Sequence, residues 1–319
     1  MTFERVMVTG GAGFIGSHLV DRLLAAGARV LCLDDFNDYY APALKRRNIA
    51  GHLANKLYTL EEGDIRDREL VARCVSSWRP QAIVHLAARA GVRPSLTDPY
   101  LYETTNVAGT LNMLEAARAN KVERFVFGSS SSVYGLNAKT PFAETDALLR
   151  PASPYAATKI AGEALCHTYA HLYGLRIVAL RFFTVFGPRQ RPDLAIRKFA
   201  EKILAGQEIE MFGDGSSARD YTFAADIVAG VLAALAYDVA GYEVFNLGNS
   251  RPVTLRELIA AVEQAVGRKA TIRRLADQPG DVPITFADIS QAKAKLGYNP
   301  STPLEEGMKH FVAWLTAGG

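Results

Sequence analysis

The stretch TGGAGFIG, residues 9–16, decides how this chain is read. It follows the apolar run Arg5–Thr9 and opens an amphipathic segment, Ser17–Ala26, so it occupies a strand-to-helix turn. Gly11-x-Gly13-x-x-Gly16 has the dinucleotide spacing, and Gly10-x-x-Gly13-x-x-Gly16 its variant. Glycines there allow a tight turn, let backbone N–H groups approach a pyrophosphate and let the helix pack close to the strand. Asp34 ends the next apolar run, eighteen residues after Gly16. A carboxylate in that place accepts from both ribose hydroxyls and repels a 2′-phosphate, which favours NAD over NADP.

Outward from this turn, short apolar runs alternate with helical segments. The runs are Arg5–Thr9, Arg29–Leu33, Ala82–Leu86, Phe125–Phe127 and Arg176–Arg181. Between them lie Ser17–Ala26, Glu69–Ser76, Asn106–Ala119 and Tyr155–Tyr173. That pattern implies a doubly wound parallel sheet, whose sites lie at the carboxyl ends of the strands. Two further strand ends suit the same nucleotide. Asp64 in Gly63-Asp64-Ile65 can face an adenine amino group, and His85-Leu86-Ala87-Ala88 offers small residues where backbone passes phosphates. From residue 182 prolines punctuate shorter helices, including Ile196–Ala205 and Leu255–Val266, as in a smaller α+β unit. The expected division is 1–181 for a nucleotide-binding domain and 182–319 for a discontinuous second domain, with about 220–242 packing back on the first.

The bulk numbers exclude several classes. A chain of 319 residues, 49% hydrophobic and 22% charged, is that of an ordinary globular protein. A net charge of +3 with scattered basic residues gives no nucleic-acid footprint. Cys32, Cys74 and Cys166 are widely spaced without a CxxC, so neither a disulfide framework nor a metal site is expected. His85, at an apolar strand end, reads as structural. No apolar run reaches the roughly 18 residues of a membrane span. The chain enters a strand directly after MTFER, so no signal peptide and a cytoplasmic location are expected.

Two segments carry chemistry. Tyr155 and Lys159 are four apart, on one face of a helix. A free phenol titrates near ~10, and a neighbouring ammonium lowers that, giving a base for an alcohol proton. GSSSSVYG, residues 128–135, sets four hydroxyls where a strand ends. Taken alone, those serines equally well satisfy loop backbone groups.

TGGAGFIG, Asp34, HLAA, the serine run with VYG, and Tyr155-x-x-x-Lys159 together resemble the extended short-chain dehydrogenase/reductase, or NAD-dependent epimerase/dehydratase, family. Arg219-Asp220-Tyr221, Asn246-Leu247-Gly248 and Gly280-Asp281-Val282 carry the resemblance through the second half. It implies a Rossmann-type doubly wound sheet with a smaller α+β substrate-binding domain, tightly held NAD, a nucleotide-diphosphate sugar, and a homodimer through helices such as Asn106–Ala119 and Tyr155–Tyr173. To NAD it assigns Gly10, Gly13, Phe14, Ile15, Gly16, Asp34, Asp35, Asn37, Asp64 and Ile65. Leu86, Ala87, Ala88, Asn106, Ser129, Tyr155, Lys159 and Phe182 complete that set. To a UDP-sugar it assigns Arg93, Ser130, Ser131, Ser132, Tyr155, Thr184, Arg191, Phe212, Arg219, Gln278 and Asp281.

Members similar to this chain divide at the serine run. Dehydratases and decarboxylating synthases carry an acid just before the aliphatic-Tyr-Gly turn, where this chain has Ser132. Without that acid the implied reaction is oxidation and reduction at one carbon, an epimerisation. Tyr155 is the expected base, Ser130 the relay and Lys159 their partner. Residues 35–45 and 181–195 are similar to UDP-glucuronate 4-epimerases. Arg191 is the expected grip on the C6 carboxylate, which a guanidinium binds bidentately; a phosphate contact or a surface ion pair is its other reading. UDP-glucose 4-epimerase is the alternative activity, with a decarboxylase or 4,6-dehydratase behind it. Arg89 and Arg189-Gln190 depart from the uronate pattern of Gln and a Trp-Gly-like pair.

Overall fold

The computed structural model describes residues 3–276 and 283–319. The first half runs β1 (Arg5–Thr9), α1 (Phe14–Ala25), β2 (Arg29–Asp34), α2 (Pro42–Ile49), β3 (Tyr58–Glu62), α3 (Arg68–Trp78) and β4 (Ala82–His85). It continues with α4 (Val92–Thr97), α5 (Pro99–Glu103), α6 (Gly109–Ala119), β5 (Arg124–Ser130), α7 (Pro154–Tyr173) and β6 (Ile177–Phe182). Then follow β7 (Thr184–Phe186), α8 (Ala195–Leu204), β8 (Ile209–Phe212), β9 (Ala218–Phe223), α9 (Ala224–Ala236) and β10 (Tyr242–Leu247). The chain ends with β11 (Pro252–Thr254), α10 (Leu255–Val266), β12 (Ile272–Leu275), β13 (Ile284–Thr285), α11 (Ser290–Leu296) and α12 (Leu304–Thr316).

Seven parallel strands form the main sheet in the order β10-β6-β5-β4-β1-β2-β3. Alternation along β1 shows why both faces are covered. Val6 and Val8 enter one apolar layer with Leu19, Val126 and Ile227, and Met7 enters the other with Leu33, Phe125 and Cys166. Side chains of period two that are apolar on both sides need helices on both sides. Here α1 and α9 cover one face while α3, α6 and α7 cover the other. The strand order reverses between β1 and β4, which opens a crevice at their carboxyl ends.

The return of the chain to this layer reaches further than residue 242. Besides α9, β10 pairs in parallel with β6 from Tyr242 to Leu247, and α11 packs on both α9 and β10. Without β10 the ladder groups of β6 would be an open edge, and an unpaired edge is a template for aggregation. A third apolar layer, with Ile196, Phe199, Leu258, Met308 and Phe311, joins α8, α10 and α12 over smaller sheets, one of which pairs β9 with β7, β11 and β13. The three cysteines are free and buried. Among the described residues no helix is long and apolar enough to cross a membrane.

Candidate active site

A cavity of about 460 Å³ lies in the crevice, within the range typical of ligand sites. Its nucleotide end is built on the glycine turn. A Cβ on Gly16 would meet the Gly10 carbonyl oxygen at 2.1 Å, and one on Gly10, whose φ is +70°, would meet the Ala87 nitrogen at 2.8 Å. Gly13 caps α1 without a side-chain bond, which leaves the first-turn amides for an anion. At the end of β2, Asp34 accepts from the Ala12 and Phe36 amides at 3.1 and 3.0 Å, so its orientation toward the cavity is set. Burial pushes its pKa up; the Phe36 N–H and the Lys45 ammonium oppose that shift. Lys45 lines the same end and donates to the Asn37 carbonyl at 2.9 Å; it ends the 35–45 stretch but is not among the expected site residues. Glycine cradle, free helix terminus and fixed carboxylate together fit NAD.

Of the residues expected at the site, the cavity is lined by Gly10, Gly13, Phe14, Ile15, Gly16, Asp34, Asp35, Asn37, Ile65, Leu86, Ala87 and Ala88. Ser129, Ser130, Ser131, Ser132, Tyr155, Lys159, Phe182, Thr184 and Arg191 line it as well. Others are placed elsewhere. The Asp64 carboxylate is taken by Arg66, at 2.8 and 2.6 Å, and does not line the cavity. Asn106, in a π-helical turn, grips both the N–H and the carbonyl of Arg89 at 2.8 and 3.0 Å, so it shapes the loop after β4 rather than the lining. Arg93 lies over the Phe212 ring at 5.4 Å, so these two meet each other. Arg219 donates to the carbonyls of Ala218 and Pro283 at 2.9 and 3.4 Å. Gln278 and Asp281 lie outside the described residues.

The catalytic end is carried by β5 and α7. β5 extends through Ser130, beyond the expected Phe127, and Ser131–Tyr134 form a 3-10 turn. Lys159 is buried and donates to the Gly128 carbonyl at 2.7 Å; burial pulls its pKa down to about 8. Tyr155 is half-buried beside it on the helix. Burial raises the Tyr155 pKa, and the hydrogen bond with Ser130 and the charge of Arg191 oppose that rise. Ser130 and Arg191 are the groups that pull the phenol down here, while the Lys159 ammonium is turned to the β5 backbone. The Ser130 hydroxyl also bonds the Ser132 amide and hydroxyl, each at 3.2 Å.

Beneath the serines lies a buried polar chain that the spacing of the sequence does not reveal. Ser129 donates to Glu163 at 2.5 Å, and Glu163 is held bidentately by Arg181 at 2.9 and 2.7 Å. Arg181 also donates to the Tyr134 hydroxyl at 2.9 Å, which donates to Asn246 at 2.7 Å. His85 is structural: its ring nitrogens meet the hydroxyls of Thr9 and Thr110 at 2.7 and 3.1 Å, and burial pulls its pKa down to about 3.

Arg191 lines the cavity and forms a bidentate pair with Asp193, at 2.9 and 3.0 Å. Tyr39 packs its ring 5.5 Å from the Arg191 guanidinium. The residues that depart from the uronate pattern are accounted for. Arg89 sits 6.0 Å from the Tyr39 ring and 3.6 Å from Asp38, Arg189 pairs with Asp21 of α1 at 2.8 Å, and the Gln190 amide donates to the Val185 carbonyl at 3.2 Å. None of the three lines the cavity.

Comparison with known proteins agrees with this geometry. A family model described as "NAD dependent epimerase/dehydratase family" matches residues 6–248. UDP-glucuronate 4-epimerase 4 of Arabidopsis thaliana is 45% identical over 97% of this chain and 74% of its own length. The crystal structure of UDP-glucuronic acid 4-epimerase from Bacillus cereus, in complex with UDP-glucuronic acid and NAD, is 35% identical with a TM-score of 0.92, covering 99% of this chain and 100% of that one. UDP-glucose 4-epimerase from Thermotoga maritima, crystallised with UDP-glucose, is 35% identical with a TM-score of 0.91, covering 98% and 99%. On its glycine turn, its Tyr155/Lys159 helix and these likenesses, the chain belongs to the NAD dependent epimerase/dehydratase family.

Proposed function

We propose that the protein is an NAD-dependent 4-epimerase that interconverts UDP-glucuronate and UDP-galacturonate. NAD, held at the glycine turn and Asp34, supplies a reversible hydride acceptor. Tyr155 takes the C4 hydroxyl proton as hydride leaves C4, and Ser130 bridges the phenol and the sugar oxygen. Because burial holds the phenol above its ordinary value, Tyr155 needs local positive charge to act as a base at neutral pH. Arg191 and the Lys159 ammonium supply it from the chain. The 4-keto sugar then turns over about its phosphate linkage, and Tyr155 returns the proton after hydride reaches the other face.

One observation carries the choice of sugar: Arg191 lines the same cavity as Tyr155, Ser130 and Thr184. A guanidinium there matches a C6 carboxylate and has no counterpart in a neutral hexose. The 4-keto uronate is a β-keto acid, so a fixed carboxylate also restrains loss of CO₂. The acid nearest the serine run, Glu163, is paired with Arg181 and does not line the cavity, which supports epimerisation over dehydration.

Within the same proposal Arg93, Phe212, Arg219, Gln278 and Asp281 hold the UDP moiety. Two copies pair in the cytoplasm through α6 and α7, whose Leu111, Leu172 and Tyr173 are exposed. The test is product analysis of the purified protein with UDP-glucuronate and no added NAD. UDP-galacturonate is expected; conversion of UDP-glucose alone would replace the uronate reading with the neutral one.

A further inference from the structure

Tyr39, on the loop after β2, and Asp193, on the loop before α8, are both built onto Arg191. Asp193 accepts from Nε and Nη2 of Arg191, a side-on bidentate pair. The Tyr39 ring lies 5.5 Å from the guanidinium carbon, and its hydroxyl donates to Asp193 at 3.3 Å. A guanidinium has two bidentate edges, Nε/Nη and Nη1/Nη2. Asp193 takes the first. Among the described residues no hydrogen bond falls on Nη1, so the end-on edge is the one left for a second carboxylate.

Ring face and side-on pair restrict different motions. The ring limits where the guanidinium can swing, and the two Asp193 bonds fix its direction. An arginine held by neither would spread over rotamers whose loss opposes binding. Asp193 also offsets part of the Arg191 charge seen from a distance, so an anion is selected chiefly by the direction of the free edge. A diphosphate placed elsewhere gains less from such a paired guanidinium than a carboxylate met by its free edge.

We propose that Asp193 and Tyr39 are positioning residues that aim the end-on edge of Arg191 at the sugar C6 carboxylate, and so set the preference for a uronate over a neutral hexose. This rests on the uronate reading above. Tyr39 follows Asp34, Asp35 and Asn37 on the loop leaving β2, so the clasp also ties the cofactor side of the cavity to its sugar side.

The test is calorimetric binding of UDP-glucuronate and of UDP-glucose to the NAD-loaded protein, with bound NAD and circular dichroism checking each variant. Asp193→Ala weakens UDP-glucuronate about tenfold and UDP-glucose less than about twofold. Tyr39→Ala acts likewise, while Asp193→Glu recovers part of the loss. In an Arg191→Ala background Asp193→Ala has no further effect, since an action routed through Arg191 vanishes with it. Equal weakening of both ligands, or an undiminished effect in the Arg191→Ala background, overturns the proposal. Should Asp193→Ala fail to fold, the nearly isosteric Asp193→Asn is judged by the same criteria. A wild type with no uronate preference overturns the uronate reading and this proposal together, whereas a preference that survives Asp193→Ala overturns this proposal alone.

Discussion

The Ser129 hydroxyl donates to Oε1 of Glu163 at 2.5 Å, one helical turn beyond Lys159 on α7. The serine run therefore does have an acid beside it, brought by a helix and not by its own strand. That acid is committed to Arg181, and the two side chains are only 7% and 4% exposed. Breaking such a pair leaves a buried charge without its partner, at a cost of about 3–5 kcal/mol. Glu163→Gln is expected to lose stability on that scale in urea unfolding. The double change Glu163→Leu with Arg181→Met is expected to recover most of it, because an apolar pair of similar volume needs no desolvation.

Lys159 predicts a pH dependence of stability. Its folded pKa is about 8, below the 10.5 of an ordinary lysine, because burial disfavours the ammonium. Between those values the unfolded chain binds more protons, so stability rises with pH across about 8 to 10.5. The contribution is lost as pH falls through about 8. Urea unfolding at pH 8, 9 and 10 is expected to show the rise in the wild type minus Lys159→Met difference. A flat difference would mean the amine is as easily protonated folded as unfolded.

Gly16→Ala tests the cofactor cradle. Its Cβ would lie 2.1 Å from the Gly10 carbonyl oxygen, a backbone atom that no side-chain rotation can clear. The variant is expected to purify with NAD content reduced at least about tenfold, since the helix terminus can no longer approach the turn. Nucleotide release on denaturation, read by absorbance and chromatography, checks it.

Tyr155→Phe removes the phenol oxygen and leaves the ring against Tyr102, which it meets edge-on at 6.1 Å. Bound NAD and UDP-sugar affinity are expected to stay near wild type, while turnover falls by about 10²–10⁴. Substantial turnover would assign the proton transfer to another group.

The α/β alternation and the glycine turn were legible because both strand faces are apolar and the motif is local. Two edge strands were not. β3 reads YTLEE and β10 YEVFNL, each half-exposed along part of its length, so their polar positions mask the run. At the site, Tyr155, Lys159 and Glu163 share a helical period and the first two stood out. The meaning of Glu163 depends on Arg181, which lies directly opposite Ser129 in the β5/β6 ladder, a register that no local pattern states. Asp193 and Tyr39 are 154 residues apart, and only the closing of two loops over one arginine joins them.

The central claim is that hydrogen leaves and returns to C4 without reaching solvent. UDP-glucuronate deuterated at C4 and incubated with the purified protein in ordinary water tests it most directly, with the product read by NMR and mass. UDP-galacturonate that keeps its deuterium at C4 is the predicted result. UDP-galacturonate with solvent hydrogen at C4, or none formed while UDP-glucose is converted, would contradict it.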